Sequence, residues 1–257
     1  MSSSSTSKKK GGGQQPEPLR ILCFGDSLTA GFPCNNPYAG KMARVIEKAY
    51  PGLKVDFFVD GQPGDLVTRG GDFVRRMERD WTPNHKPFDW TVILGGTNDI
   101  AWGRKADVVT EALQRVWKIP RNKVLALTIP ETMGQYQDIT ETRNAVNKFI
   151  KEHREENFFH FDLHTELPYH NMNPYDRSLY WDRDGLHLKA AGYDLMGEKI
   201  GNALVRIMRL AEAQGTDIRN LEPKTRKAIE DMIYEEERGD PRYLSQGYIV
   251  VHKKDLD

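Results

Sequence analysis

The chain has 257 residues, enough for one α/β domain with a sizeable core and marginal for two. Lys plus Arg and Asp plus Glu both number 37, so the formal net charge is +0, which argues against a nucleic-acid partner. The only two cysteines, Cys23 and Cys34, point away from a disulfide framework and towards a reducing, cytoplasmic compartment.

Residues 1–18, "MSSSSTSKKKGGGQQPEP", hold no apolar segment of the kind a secretory signal needs, and they read as a disordered, solvated tail. Lys8, Lys9 and Lys10 are only a weak nuclear address. The first strand follows in "LRILCFG", whose apolar run suits burial on both faces, with Cys23 as a small buried hydrophobe. "YAGKMARVIEKAYPG" then places Met42, Val45, Ile46 and Ala49 at helical spacing, and Pro51-Gly52 ends that helix. "LKVDFFVDG" is a second strand. A helix from about Asp72 puts Phe73, Met77 and Trp81 on one face. "FDWTVILGGTND" is a third strand, followed by a helix with Val109, Leu113, Val116 and Trp117 inward. "KVLALTIP" is a fourth strand, followed by a long helix using Ile139, Val146, Phe149 and Ile150. "FFHFDLHTELP" holds a fifth strand and its exit, and Leu188 to Leu210 is the last long helix. No stretch reaches the ~18 consecutive apolar residues of a membrane span.

Five strands interleaved with helices imply a parallel sheet covered on both faces, a three-layer α/β/α arrangement over residues 19–214. Right-handed crossovers gather every strand's carboxyl end on one edge. Residues 215–257 turn strongly charged, yet Ile229, Met232 and Ile233 form a helical stripe, with Ile249, Val250 and Val251 after it. The expectation there is a helical extension that packs on the domain or serves self-association.

Four blocks fall on that shared edge or in a late loop: "GDSLT" with Ser27, "DGQPGDL" with Gly64, "GGTND" with Asn98, and "DRDGLH" with Asp184 and His187. Taken singly, each has a plain alternative. Ser27 would serve as a helix N-cap, Gly64 as a turn glycine, Asn98 as another cap, and Asp184-Gly185 as a turn. Together they supply every part of an acyl-transfer site. A serine hydroxyl needs a base to become nucleophilic. Histidine titrates near neutrality and needs an acceptor for its other ring nitrogen, which Asp-x-x-His provides within one tight turn. A glycine N–H and an asparagine amide supply donors for an oxyanion.

The combination resembles the SGNH, or GDSL, hydrolase superfamily, on Ser27 in "GDSLT", Gly64 in "QPGDL", Asn98 in "GTND" and Asp184 with His187 in "DGLH". The resemblance spans about residues 19–210. It implies a flavodoxin-like fold with a five-stranded parallel sheet and a serine esterase acting on a small acyl ester through an acyl-enzyme. It also implies an oxyanion hole of the Ser27 N–H, the Gly64 N–H and the Asn98 amide, and neither metal nor cofactor. The chain departs from the pattern at Asp60, where an Asn is usual, at Pro63, where a Ser is usual, and at Leu188, where Pro is frequent.

Other readings compete. A Gly-x-Ser-x-Gly elbow and a Gly-x-Gly-x-x-Gly dinucleotide loop are not matched. His160 and His164 have a metal-pair spacing on a helix, but on a strand they stand ~13 Å apart, so they read as structural or cleft-lining. A catalytically silent binding module on the same fold is the alternative of another class. Thioesters, lysophospholipids and carbohydrate acetates remain open substrates. The loops at residues 32–38, 132–138 and 169–181 are expected to line the acyl pocket with Tyr38, Met133, Tyr136, Tyr180 and Trp181.

Overall fold

Each of the five apolar runs forms a strand followed by a helix in a computed structural model that describes residues 17–213 apart from Asn84. The tail assigned to residues 1–18, except Glu17 and Pro18, and the whole extension 215–257 lie outside the described residues. In chain order the elements are β1 (Leu19–Gly25), α1 (Ser27–Ala30), α2 (Ala39–Ala49), β2 (Val55–Gly61), α3 (Phe73–Asp80), β3 (Trp90–Leu94), α4 (Thr97–Ala101) and α5 (Ala106–Trp117). They continue with β4 (Lys123–Leu127), α6 (Gln137–Glu152), β5 (Phe158–Phe161), α7 (Leu163–Glu166), α8 (Pro174–Tyr180) and α9 (Ala190–Ala213).

The strands pair in parallel in the order β2-β1-β3-β4-β5. This is the flavodoxin-like order, and its chain reversal falls between β1 and β3. Ligands of such sheets collect outside the carboxyl ends of the two strands flanking that point, here the ends carrying Ser27 and Asn98.

Strand alternation divides the core in two. Ile21, Cys23, Val92, Leu94, Leu125 and Phe159 face one side, where they meet Met42 and Ile46 of α2 and Met196, Ile200 and Leu204 of α9. Leu22, Phe24, Ile93 and Ala126 face the other, against Phe73 and Met77 of α3, Leu113 and Val116 of α5 and Val146 and Ile150 of α6. Each buried Val, Leu, Ile, Met or Phe among them contributes ~1.5–3 kcal/mol by leaving water. α2 and α9 approach closely because residue 197 is glycine: a Cβ there would stand 2.3 Å from the Tyr38 carbonyl oxygen. Burial pushes the Cys23 thiol up to about 12, as suits a core hydrophobe.

Two expectations change. The last helix starts at Ala190 rather than Leu188, because Leu188 pairs with Trp181 in an isolated antiparallel bridge and the Lys189 N–H donates to the Tyr180 carbonyl. The segment around residues 169–181 is not all loop: Asn173 caps α8 by accepting from the Asp176 N–H, and Pro174 opens the first turn. β2 is an edge strand, so its Phe57, Phe58 and Val59 remain 37–42% exposed. Among the described residues no helix is long and apolar enough to cross a membrane.

Candidate active site

At the carboxyl end of β1 the chain turns sharply into α1, and Ser27 is its first helical residue. The cap is Asp26, whose Oδ1 accepts from the Leu28 N–H at 3.0 Å, so the Ser27 hydroxyl is spared capping duty. That hydroxyl lies 2.9 Å from His187 Nε2, across 160 residues of sequence. On the far side of the ring, His187 Nδ1 lies 2.6 Å from Asp184 Oδ2. Asp184 Oδ1 accepts from the Leu186 and His187 N–H groups at 2.9 Å each, so the Asp-x-x-His turn is fixed by its own carboxylate. Burial works to raise the Asp184 pKa, but the bonds from the His187 ring and the two N–H groups outweigh it and hold the carboxyl below its ordinary value.

Gly64 sits third in a Gln62-Pro63-Gly64-Asp65 turn closed by the Asp65 N–H donating to the Gln62 carbonyl at 3.2 Å. Its φ of +79° is the left-handed value required after a proline in a type II turn. Pro63 therefore suits the loop rather than disturbing it. Asn98 lies in α4, after the left-handed Gly96. Its Nδ2 donates to the Asp65 carbonyl at 2.9 Å, which leaves its second amide hydrogen unspent. Beside it, the fully buried Asp99 accepts from the Val67 and Thr68 N–H groups at 2.9 and 3.0 Å, tying α4 to the loop that follows Gly64. Ser27, His187 and Asp184 thus form one line of contacts, while Asn98 is tied to Asp65, the residue after Gly64.

Sequence reasoning missed several supports of this arrangement. Asp60, where the family pattern has Asn, accepts from Arg76 Nη1 at 2.7 Å and from Arg79 Nη2 at 2.6 Å. The Met133 N–H donates to the Gly185 carbonyl at 2.7 Å and steadies the Asp184–His187 turn. Phe32 packs edge-on against the His187 ring at 4.9 Å while 45% exposed. A large apolar residue five positions after Ser27 was the available signal for it. Of the residues expected to line the acyl pocket, Met133 and Tyr136 are exposed and Tyr180 is half-buried against the core, whereas Tyr38 and Trp181 are buried. Tyr38 packs beneath α2 with no exposed surface, and Trp181 packs against Tyr169 in the core.

Neither of the other histidines in "HFDLH" joins the cluster. His160 is buried on β5, and burial lowers its pKa to about 4, so it stays neutral. His164 lies on α7 with Nδ1 3.2 Å from the Ile129 carbonyl. Among the described residues no three His, Cys, Asp or Glu side chains gather so as to hold a metal ion.

Three solved structures are similar to this chain. A lipolytic protein of the G-D-S-L family from Veillonella parvula is 24% identical, with a TM-score of 0.55 over 70% of this chain and 94% of its own. A carbohydrate esterase family 3 protein from Talaromyces cellulolyticus is 18% identical, with a TM-score of 0.56 over 74% and 98%. The aryl esterase of M. smegmatis in an inhibitor-bound form is 17% identical, with a TM-score of 0.53 over 71% and 96%. At these identities the likeness is one of fold. No curated protein matches the chain in sequence. The GDSL-like lipase/acylhydrolase family model, however, matches residues 23–195, the stretch from the middle of β1 into α9 that carries Ser27, Gly64, Asn98, Asp184 and His187, and the chain belongs to that family of ester hydrolases.

Proposed function

We propose that the protein hydrolyses a small acyl ester through a serine-bound acyl intermediate. The observation that carries this reading is the unbroken chain of polar contacts from Ser27 Oγ through His187 to Asp184, at 2.9 and 2.6 Å. In the first half-reaction His187 Nε2 takes the Ser27 hydroxyl proton as Oγ attacks the ester carbonyl carbon. Asp184 holds the ring with its Nδ1–H directed at the carboxylate and stabilises the imidazolium. The carbonyl oxygen becomes an oxyanion that receives the Ser27 N–H, the Gly64 N–H and the free Asn98 amide hydrogen. As first residue of α1, Ser27 has an N–H without an intrahelical acceptor. Collapse breaks the ester C–O bond, and His187 returns the proton to the departing alkoxide. In the second half, His187 deprotonates a water that attacks the acyl-Ser27 carbonyl, and the acid leaves with Oγ reprotonated.

The mouth of the site favours an apolar group on the ester. Phe32 beside His187, Met133 beside Gly185, and exposed Tyr136 offer contact surface around the reacting atoms. The names of the M. smegmatis and Talaromyces proteins point to aryl and carbohydrate esters, and both classes are open to this chain. Labelling with a fluorophosphonate tests the mechanism: the wild type should react at one serine and Ser27→Ala should not. Turnover across p-nitrophenyl esters of rising chain length, sugar acetates and acyl-CoA then sorts the substrates. A wild type unreactive to all of them would leave a silent binding module as the better reading.

A further inference from the structure

Arg76 lies on α3, 49 residues from Ser27, and is only 4% exposed. A buried guanidinium is costly unless its donors are met, and apolar side chains of similar volume often serve stability as well or better. Here the donors are met by one particular set of acceptors. Nε donates to Asp65 Oδ2 at 3.1 Å. Nη1 donates to Asp60 Oδ1 at 2.7 Å and to the Asp60 carbonyl at 3.3 Å. Nη2 donates to the Gly25 carbonyl at 2.8 Å. The guanidinium carbon sits 4.5 Å from the Phe24 ring centre and 5.3 Å from that of Phe73.

These acceptors share one property. Gly25 ends β1, two residues before Ser27. Asp60 and Asp65 bracket the turn that presents Gly64, and Asp65 also offers Oδ1 to the Leu66 and Asp72 N–H groups at 2.9 and 2.7 Å. The Asp65 carbonyl is the acceptor that orients Asn98. One rigid fork therefore sets the strand delivering Ser27, the turn delivering Gly64 and the carbonyl aiming Asn98 relative to one another.

We propose that Arg76 is the positioning residue of the oxyanion hole, fixing through Asp60, Asp65 and Gly25 the convergence of the Ser27, Gly64 and Asn98 donors. The inference rests on the esterase reading above. It assigns Arg76 no contact with substrate. Its loss blurs donors whose value depends on placement, and a shift of ~1 Å in such a group can cost ~100-fold in rate.

The test uses the full chain with Arg76→Met and Arg76→Lys, each alone and combined with Asn98→Ala, on a p-nitrophenyl ester. Active sites are counted by fluorophosphonate titration, so rates refer to competent Ser27 only. Arg76→Met should lower kcat per titrated site by roughly 10–100-fold with KM changed less than ~3-fold, and Arg76→Lys should recover part of the loss. Combined with Asn98→Ala, either variant should cost clearly less than the product of the two single losses, because one of the donors that Arg76 places is then already missing. Should Arg76→Met fail to fold, Asp65→Asn removes the carboxylate while keeping the carbonyl, and the same shared loss is expected. A kcat per titrated site equal to the wild type, or losses that multiply with Asn98→Ala, would overturn the proposal while leaving the esterase reading intact. A wild type that neither labels nor turns over ester would remove that reading and this inference together.

Discussion

Replacing Asp26 by Asn should stabilise the protein at neutral pH and do little in acid. Asp26 is 1% exposed and caps α1 next to the nucleophile. Burial raises its pKa from 3.8 to about 6, against the favourable Leu28 N–H, Thr97 hydroxyl and His187, and with some repulsion from Asp99. The difference between these two values corresponds to about 3 kcal/mol. The folded state holds the Asp26 proton more tightly than the unfolded chain, so between about pH 4 and pH 6 folding takes up a proton. The contribution is thus present below the unfolded pKa and lost as pH rises through the folded one. Above about pH 6 the wild type carries a buried carboxylate that costs up to about 3 kcal/mol. Asn retains the acceptor for the Leu28 N–H and removes the charge. The advantage of Asp26→Asn should therefore grow from near zero at about pH 3.5 to about 3 kcal/mol at about pH 8, or ~6–12 °C in Tm for a domain of this size. Denaturant melts of both proteins at the two pH values measure it, and titrations common to both cancel in the difference. A difference between variant and wild type that is the same at both pH values would refute the argument. Asp26→Ala serves as a control, since losing the cap costs ~1 kcal/mol at any pH.

Asn98→Ala should lower kcat by ~10²–10³-fold with little change in KM, because its donor counts mainly in the transition state, and steady-state kinetics on one ester reads this directly. His187→Ala should approach the loss seen in Ser27→Ala, since nucleophile and base act as one unit, and Asp184→Ala should be milder; circular dichroism checks that each remains folded. His164→Gln should keep most activity, because its ring faces the Ile129 carbonyl rather than Ser27, and a loss equal to that of His187→Ala would reassign the base. Gly197→Val should destabilise the fold by ~1–3 kcal/mol through the clash with the Tyr38 carbonyl, read as a lower Tm, while leaving kcat per active site unchanged.

Much of this molecule is legible from the sequence because the physics there is local. Apolar runs such as "VLAL" announce strands buried on both faces, and the recurrence of Val109, Leu113 and Val116 announces a helix, whatever lies opposite. Asp184 and His187 are three residues apart, so their pairing needs only one turn, and the parallel βα alternation gathers Ser27 and Asn98 on one edge without knowledge of strand order. The sequence does not reveal that β2 lies at an edge of the sheet with Phe57 and Phe58 exposed, since strand order is fixed by packing between distant segments. It likewise assigned Tyr38 and Trp181 to a substrate wall, when α9 and the residue 169 loop close over them. Arg76 was the hardest to read. An arginine on an amphipathic helix is ordinarily solvated, and Arg76 is a core residue because Asp60, Asp65 and the Gly25 carbonyl converge on it from three segments. Residue types and spacings determine which chemistry is available and which side chains seek burial. Which partners they meet depends on contacts between segments far apart in the chain, and only the folded arrangement of the sheet and its covering helices decides those.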